Sequence, residues 1–211
     1  MSTDPHLLLH QLFSPAFPVG AFAWSHGLET AIQDGQVADA ASALDWVATV
    51  LEFGAGWSDA VLCAQAGQGG DPSALSELAA ALSPSSERRA ETIEQGRAFA
   101  ATVSEVWGLQ VPAAPYPVAI GAAVRALGLP LDSALRLYLQ AFAANLTSAA
   151  VRLVPLGQTD GQRITRDLAP LCETLASRAL SADLDEIGGF APVLDIQSQR
   201  HETLYSRIFR S

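Results

Sequence analysis

The chain has 211 residues with a formal net charge of −10, and 49% of its residues are hydrophobic while only 16% are charged. This length suits one domain or two small ones, and the apolar content is sufficient for a hydrophobic core. The negative charge argues against a nucleic-acid ligand and against an anionic membrane surface, because both reward basic residues.

Hydrophobic periodicity predicts helices along nearly the whole chain and no run of β-strands. The predicted helices begin near capping or proline residues and end near glycine or proline, as helix termini do. In chain order they cover residues 6–13, 25–34, 39–53 with a continuation to about 65, 75–82, 87–107, 118–127, 132–154 and 162–180, with a last stretch from Pro192.

The segment 132–154 carries apolar side chains on nearly every face, which is typical of a helix in the middle of a bundle. We therefore predict an all-α fold: one domain over residues 1–211, with eight to ten helices around a central buried helix. Residues 1–13 and 190–211 are expected to be ordered by a partner. In the tail, Leu204 with Ile208 and Tyr205 with Phe209 have helical spacing.

Residue types that often carry chemistry are scarce. All twelve basic residues are Arg, which excludes a Schiff-base lysine and the lysine of a phosphate-binding loop. Cys63 and Cys172 are far apart and do not form a CxxC motif, so neither a disulfide framework nor a zinc site is predicted. The N-terminus does not read as a signal peptide, and no segment reads as a membrane span, so a cytoplasmic location is expected.

Two histidine motifs resemble active-site patterns without completing them. Ser25 and His26 are adjacent, and adjacent helical residues point about 100° apart, so they do not form a nucleophile–base pair. His201-Glu202 begins like a zinc-peptidase helix, but Tyr205 stands where the second imidazole is required, which favours a structural His201–Tyr205 stack. A metal-dependent hydrolase that uses His26 or His201 remains an alternative.

Two further features could be either functional sites or ordinary structural elements. His6 and His10 lie four residues apart on one helix face, either as a surface pair or as a metal site at a dimer seam. The stretch PLGQTDGQR, residues 155–163, lacks the Lys and the spacing of a phosphate cradle. It reads as a helix-connecting loop flanked by Arg152 and Arg163, which is a natural contact surface.

Four blocks resemble the F-type urease accessory proteins, the UreF family. SPAFPVGAFAWSHGLE, residues 14–29, is similar to the family signature with its Pro-Val-Gly and its closing Gly-Leu-Glu. Residues 116–163 and 190–211 resemble the central and C-terminal blocks, and residues 94–108 match more loosely. The resemblance covers nearly the whole chain, and the departures at residues 115–118 and at Gln199 are modest.

The resemblance implies an all-α, non-enzymatic scaffold or chaperone for nickel insertion into urease. Its partners would be the H- or D-type accessory protein, the nickel-carrying G-type GTPase and the urease apoprotein, and the chain would form a homodimer in that complex. No cofactor is implied: nickel passes through the complex and is not expected to be held tightly by this chain alone.

The resemblance also assigns residues. Glu29, Arg152 and the loop residues Gly157, Gln158, Thr159 and Asp160 match positions that face or influence the GTPase. Arg207 matches a residue that holds this loop in shape, and Tyr205 is a weaker companion. No catalytic and no metal residue is implied. The prolines and glycines of the opening block suit a rigid element that displays a surface.

Overall fold

A computed structural model describes residues 3–211, and these residues form ten α-helices and no β-strand. The all-α prediction is therefore confirmed for the described part of the chain, while residues 1 and 2 of the predicted ranges lie outside it. The helices are α1 Pro5–Leu12, α2 Leu28–Gln33, α3 Ala40–Phe53, α4 Ala55–Gln68, α5 Pro72–Ala81, α6 Ser86–Trp107, α7 Tyr116–Ala126, α8 Leu131–Leu153, α9 Gln158–Ala179 and α10 Pro192–His201.

Several helices start where the sequence offers a side-chain cap. The Asp39 carboxylate accepts a hydrogen bond from the Ser42 backbone N–H at 2.8 Å and begins α3. Asp71 does the same for α5, where Pro72 takes the first position, and Ser85 caps α6. These residues satisfy backbone donors that have no partner inside a helix.

Close helix packing at the centre depends on small residues. A Cβ atom at Gly121 of α7 would lie 2.3 Å from the Cys63 carbonyl oxygen of α4, so only glycine allows these two helices to approach so closely. A Cβ at Gly96 of α6 would lie 1.9 Å from the Ala114 carbonyl oxygen, at the entry to α7. Both distances are below any normal van der Waals contact.

Helix α8 is the central helix that the sequence predicts. It packs against α9, α3, α4, α2, α1 and α7. Leu135, Leu139 and Leu146 are fully buried along its length, and Tyr138 is 3% exposed. Burying four such side chains contributes on the order of 6–12 kcal/mol to the hydrophobic stabilisation of the bundle.

Three predicted helix boundaries need correction. Helix α2 begins at Leu28 rather than residue 25, because His26 and Gly27 have left-handed backbone angles with φ of 55° and 75°. Helix α9 begins at Gln158 rather than residue 162. Helix α10 ends at His201, so the predicted helical pairs between residues 204 and 209 do not form.

One stretch, residues 40–68, has the length and composition of a membrane-crossing helix. It consists of α3 and α4, which are separated at Gly54, and most of its apolar window is buried inside the bundle. A buried core helix of a globular protein passes the same test, so this stretch is weak evidence for a membrane span.

Candidate functional site

The C-terminal segment, residues 202–211, folds back over the beginning of the chain. Arg210 donates its backbone N–H to the Ala23 carbonyl oxygen at 2.8 Å, and the Ser25 N–H donates to the Ser211 oxygen at 2.7 Å. The Arg210 guanidinium lies 4.4 Å from the centre of the Trp24 ring and pairs with Glu94 of α6. The segment thus covers the family-like opening block, although more than 170 residues separate them in sequence.

Glu29 of α2 is the buried anchor of this segment. Its side chain is only 3% exposed, and its two oxygens accept hydrogen bonds from the backbone N–H groups of Ile208 at 2.8 Å and Phe209 at 2.9 Å. One of these oxygens also lies 3.2 Å from His201 Nε2. A single carboxylate therefore fixes the path of two consecutive residues, through hydrogen bonds that its charge strengthens.

His201 connects this anchor to α6. It is fully buried, and its Nδ1 atom lies 2.7 Å from a Glu87 carboxylate oxygen, so both ring nitrogens face carboxylates. These two contacts join α2 and α6 through one buried ring. Glu87 also pairs with Arg207 of the C-terminal segment. Glu29 and Glu87 therefore connect α2 and α6 to His201 and to the C-terminal segment.

A second buried cluster lies one turn further along α6. Arg88 donates to His26 Nε2 at 2.8 Å and pairs with Glu91, whose Oε1 atom also accepts from Gln95 Nε2 at 2.9 Å. Burial, followed by the nearby Arg88 charge, lowers the pKa of His26 well below its usual value, so this ring is neutral. Burial also lowers the pKa of Arg88 to about 10, which leaves it charged at neutral pH.

Arg152 lies at the C-terminal end of α8 and is exposed. Its Nη2 atom donates to the Phe22 carbonyl oxygen at 3.0 Å, and its Nε atom donates to the Ser148 carbonyl oxygen at 3.3 Å. Its guanidinium carbon lies 4.6 Å from the centre of the buried Phe209 ring. Arg152 therefore links α8, the 3-10 turn at residues 21–23 and the C-terminal segment in one fixed orientation.

The predicted loop 157–160 is mostly the first turn of α9. Gly157 precedes the helix, and its N–H donates to Asp160 Oδ2 at 3.2 Å; Asp160 also accepts from Arg163 at 2.8 Å. A Cβ at Gly161 would lie 2.8 Å from Val151, so the start of α9 packs directly against the end of α8. Gly157 and the next two residues are exposed, and they lie close in sequence to Arg152 at the C-terminal end of α8.

Three predicted site residues have different surroundings from those expected. Glu29 is buried in the isolated chain, where it holds the C-terminal segment from within, and its role toward a partner stays a prediction. The hydrogen bond of Arg207 goes to Glu87 on α6 and not to residues 157–160, so it secures the C-terminal segment. Tyr205 is fully exposed while His201 is fully buried, so these two rings do not stack. The partner-binding roles of Arg152 and residues 157–160 stay predictions.

Sequence reasoning missed the residues of α6 that complete these clusters. Glu87, Glu91 and Gln95 recur every four residues and share one helix face, and the last two are 4% exposed. Polar residues that recur on one helix face at this spacing are the sequence signal that could have indicated a polar cluster on α6. Its partners lie about 60 to 120 residues away along the chain, a separation at which spacing carries no information.

The histidines do not assemble a metal site among residues 3–211, where no three His, Cys, Asp or Glu side chains are placed to hold one ion. His26 contacts Glu91 and Arg88, whereas His201 lies between Glu29 and Glu87. His6 and His10 are exposed on α1. A metal site that a second copy of the chain completes at those two residues stays a prediction.

Comparison with known proteins identifies the family. The sequence profile of the UreF family matches residues 37–169. The urease accessory protein UreF of Cereibacter sphaeroides strain KD131 is 57% identical over 205 residues, which cover 97% of this chain and 98% of that protein. The UreF proteins of Roseobacter denitrificans and Rhodopseudomonas palustris strain HaA2 are 48% and 47% identical, over 100% and 94% of this chain and 96% and 90% of their own lengths. This chain therefore belongs to the UreF family of urease accessory proteins.

Proposed function

We propose that this chain is a non-enzymatic scaffold in urease maturation. It binds the H- or D-type accessory protein and, as a homodimer in that complex, presents a surface to the nickel-carrying G-type GTPase that delivers nickel to the urease apoprotein. Nickel is the cargo of the assembly. Membership of the family supports the accessory role, and the geometry around Arg152 supports the particular surface.

The observation that carries the proposal is the fixed, exposed guanidinium of Arg152. Contacts with Phe22, Ser148 and Phe209 use its Nε–H, one Nη2–H and one face of the group. The remaining N–H donors of the fork are free of contacts within the chain as described. A pre-oriented arginine loses less side-chain entropy on binding, and arginines of this kind dominate many interfaces.

Exposed apolar side chains lie around this arginine on the elements that it connects. Phe22 is 67% exposed, and its carbonyl oxygen accepts a hydrogen bond from Arg152. Ile208 is 74% exposed and precedes Phe209, whose ring contacts Arg152. Tyr205, in the same C-terminal segment, is fully exposed. We call Phe22, Arg152, residues 157–159, Tyr205 and Ile208 the docking surface. An arginine with aromatic and aliphatic neighbours has the composition of an interface core.

The buried ionisable groups support a structural role rather than a catalytic one. Both ring nitrogens of His201 have carboxylate partners. The two oxygens of Glu29 bind two backbone N–H groups and His201. Groups that satisfy one another in this way hold the C-terminal segment in place and are not presented to a substrate.

The test is capture of the purified GTPase by this chain in complex with its H- or D-type partner. Arg152→Ala should weaken capture at least about tenfold, as loss of a central interface arginine does. Arg136→Ala is the matched control, since Arg136 lies on the same helix about 24 Å away and its ion pair is with Asp132, one turn back on that helix. Equal capture by the Arg152→Ala variant and the wild type would show that this surface does not bind the GTPase.

A further inference from the structure

A cavity of about 590 Å³ lies beneath the opening block, outside the docking surface apart from Phe22. Residues 12–22 form one wall, and side chains of α4, α6, α7 and α8 form the others. His10, Pro15 and Phe22 are exposed members of this lining, so the cavity is accessible from solvent on that side. The volume falls in the range of small-molecule sites.

Aromatic rings make up much of the inner wall. The Tyr138 ring centre lies 6.5 Å from that of Phe13, 5.9 Å from that of Tyr116 and 6.4 Å from that of Phe142. Tyr116 comes from α7, Tyr138 and Phe142 come from α8, and Phe13 lies in the turn after α1; all four residues line the cavity. Their π-systems offer negative electrostatic potential to a positively charged guest.

Asp59 of α4 provides a carboxylate in the same cavity. The Tyr138 hydroxyl donates to its Oδ2 atom at 2.8 Å, and among residues 3–211 no other hydrogen bond reaches this carboxylate. Arg88 is the cation that faces Asp59, but its hydrogen bonds are made with Glu91 and His26. With a neutral His26, the cavity holds two carboxylates and one guanidinium, which leaves one negative charge in excess.

The side chains around Asp59 are not arranged to bind a metal ion that would balance its charge. Glu91 and His26 are both engaged by Arg88, and no triad of metal-ligating side chains exists within the described chain. A lone carboxylate surrounded by aromatic rings suits a larger, weakly hydrated cation, because the carboxylate balances its charge and the rings solvate its alkyl groups. We propose that this cavity binds a small organic ammonium ion, with Asp59 as its counter-ion and Tyr116, Tyr138 and Phe142 as its walls.

The site implies a pH dependence of a definite sign. Burial raises the pKa of Asp59 to about 6, against the opposing effects of the Arg88 charge and the Tyr138 hydrogen bond. An ammonium guest favours the ionised carboxylate, so its affinity should increase as the pH rises through about 6 and then level off. Among the other ionisable groups near Asp59, Arg88 stays charged and His26, Cys63, Tyr116 and Tyr138 stay neutral in this range. Glu91 is paired with Arg88, and His10 lies on the exposed side of the cavity.

The experiment is a calorimetric or NMR titration of the full chain with choline and with its neutral isostere 3,3-dimethylbutan-1-ol. At pH 7.5 choline should bind at least about tenfold more tightly than the isostere, and lowering the pH to 5 should remove most of that preference. These comparisons use the wild-type protein, so they do not depend on how a variant folds. Equal binding of the two probes, or no choline binding up to about 50 mM, overturns the proposal.

A variant pair locates the site. Asp59→Asn should abolish the preference for choline while the helical circular-dichroism spectrum is retained. Asp45→Asn is the matched control. This substitution makes the same change in charge on the exposed face of α3, and it should leave the preference for choline intact. If Asp59→Asn retains the preference, the ammonium does not bind at this carboxylate and the assignment is wrong.

Discussion

The Glu29 anchor yields the most detailed prediction. Glu29→Ala removes the acceptor of the Ile208 and Phe209 N–H groups and one of the two carboxylates that face His201. Hydrogen bonds to a charged group contribute about 1.5–3 kcal/mol each. Because these terms overlap in one carboxylate, we expect the docking of the C-terminal segment to weaken by about 3 kcal/mol.

The corresponding assay is hydrogen exchange resolved by peptide. A loss of about 3 kcal/mol in docking free energy corresponds to roughly 100-fold faster exchange of the amides in residues 202–211. The amides of α4 and α7 should keep their protection, because these two helices pack closely against each other.

Glu94→Gln is the control for this prediction. Glu94 also pairs with the C-terminal segment, through Arg210, but both side chains are about half exposed, at 47% and 56%. Exposed pairs contribute at most about 1 kcal/mol, so exchange should change less than about fivefold. If Glu29→Ala left exchange of residues 202–211 unchanged, or if Glu94→Gln accelerated it equally, Glu29 would not be the anchor.

Two further predictions concern stability. The pKa of Asp59 is raised from 3.8 to about 6 in the folded protein, so between these pH values the folded state binds more protons than the unfolded state. The free energy of unfolding of the wild type should therefore fall by up to about 3 kcal/mol as the pH rises from about 4 to above 6. Urea unfolding should therefore show Asp59→Asn gaining stability over the wild type across that window; a difference that stays constant with pH would contradict the shift. Gly96→Ala should destabilise the bundle by about 3 kcal/mol in a thermal melt, because its Cβ would collide with the Ala114 carbonyl. Gly108→Ala, where φ is +66° and the space is open, should cost only about 1 kcal/mol, and similar losses for both variants would contradict close packing at residue 96.

The sequence predicts the helical framework well because local signals determine it. Asp39 and Asp71 cap the helices that their positions suggest, and the all-apolar segment around Leu139 is buried at the centre. The boundary errors arise where a local signal competes with another. Ser25 resembles an N-cap, yet its hydroxyl bonds to Ser211, and left-handed His26 delays the helix to Leu28.

The candidate site is less predictable because it depends on contacts between distant parts of the chain. Nothing in the neighbourhood of Glu29 shows that its carboxylate meets the amides of residues 208 and 209, which are about 180 residues away. The helical spacing of Tyr205 and Phe209 predicted that these two side chains pair on one face of a helical turn. The Glu29 hydrogen bonds instead hold this segment in a non-helical path in which Phe209 is buried and Tyr205 is exposed.

We propose that the buried network around Glu29 sets the shape of the proposed GTPase-docking surface. The most direct measurement is GTPase capture by the Glu29→Gln variant, which keeps the size of the side chain but loses the charge and one acceptor. We predict that capture falls at least about tenfold while the helical spectrum is unchanged, as in loss of an interface hot spot. Undiminished capture, with hydrogen exchange showing that residues 202–211 have loosened, would contradict the claim.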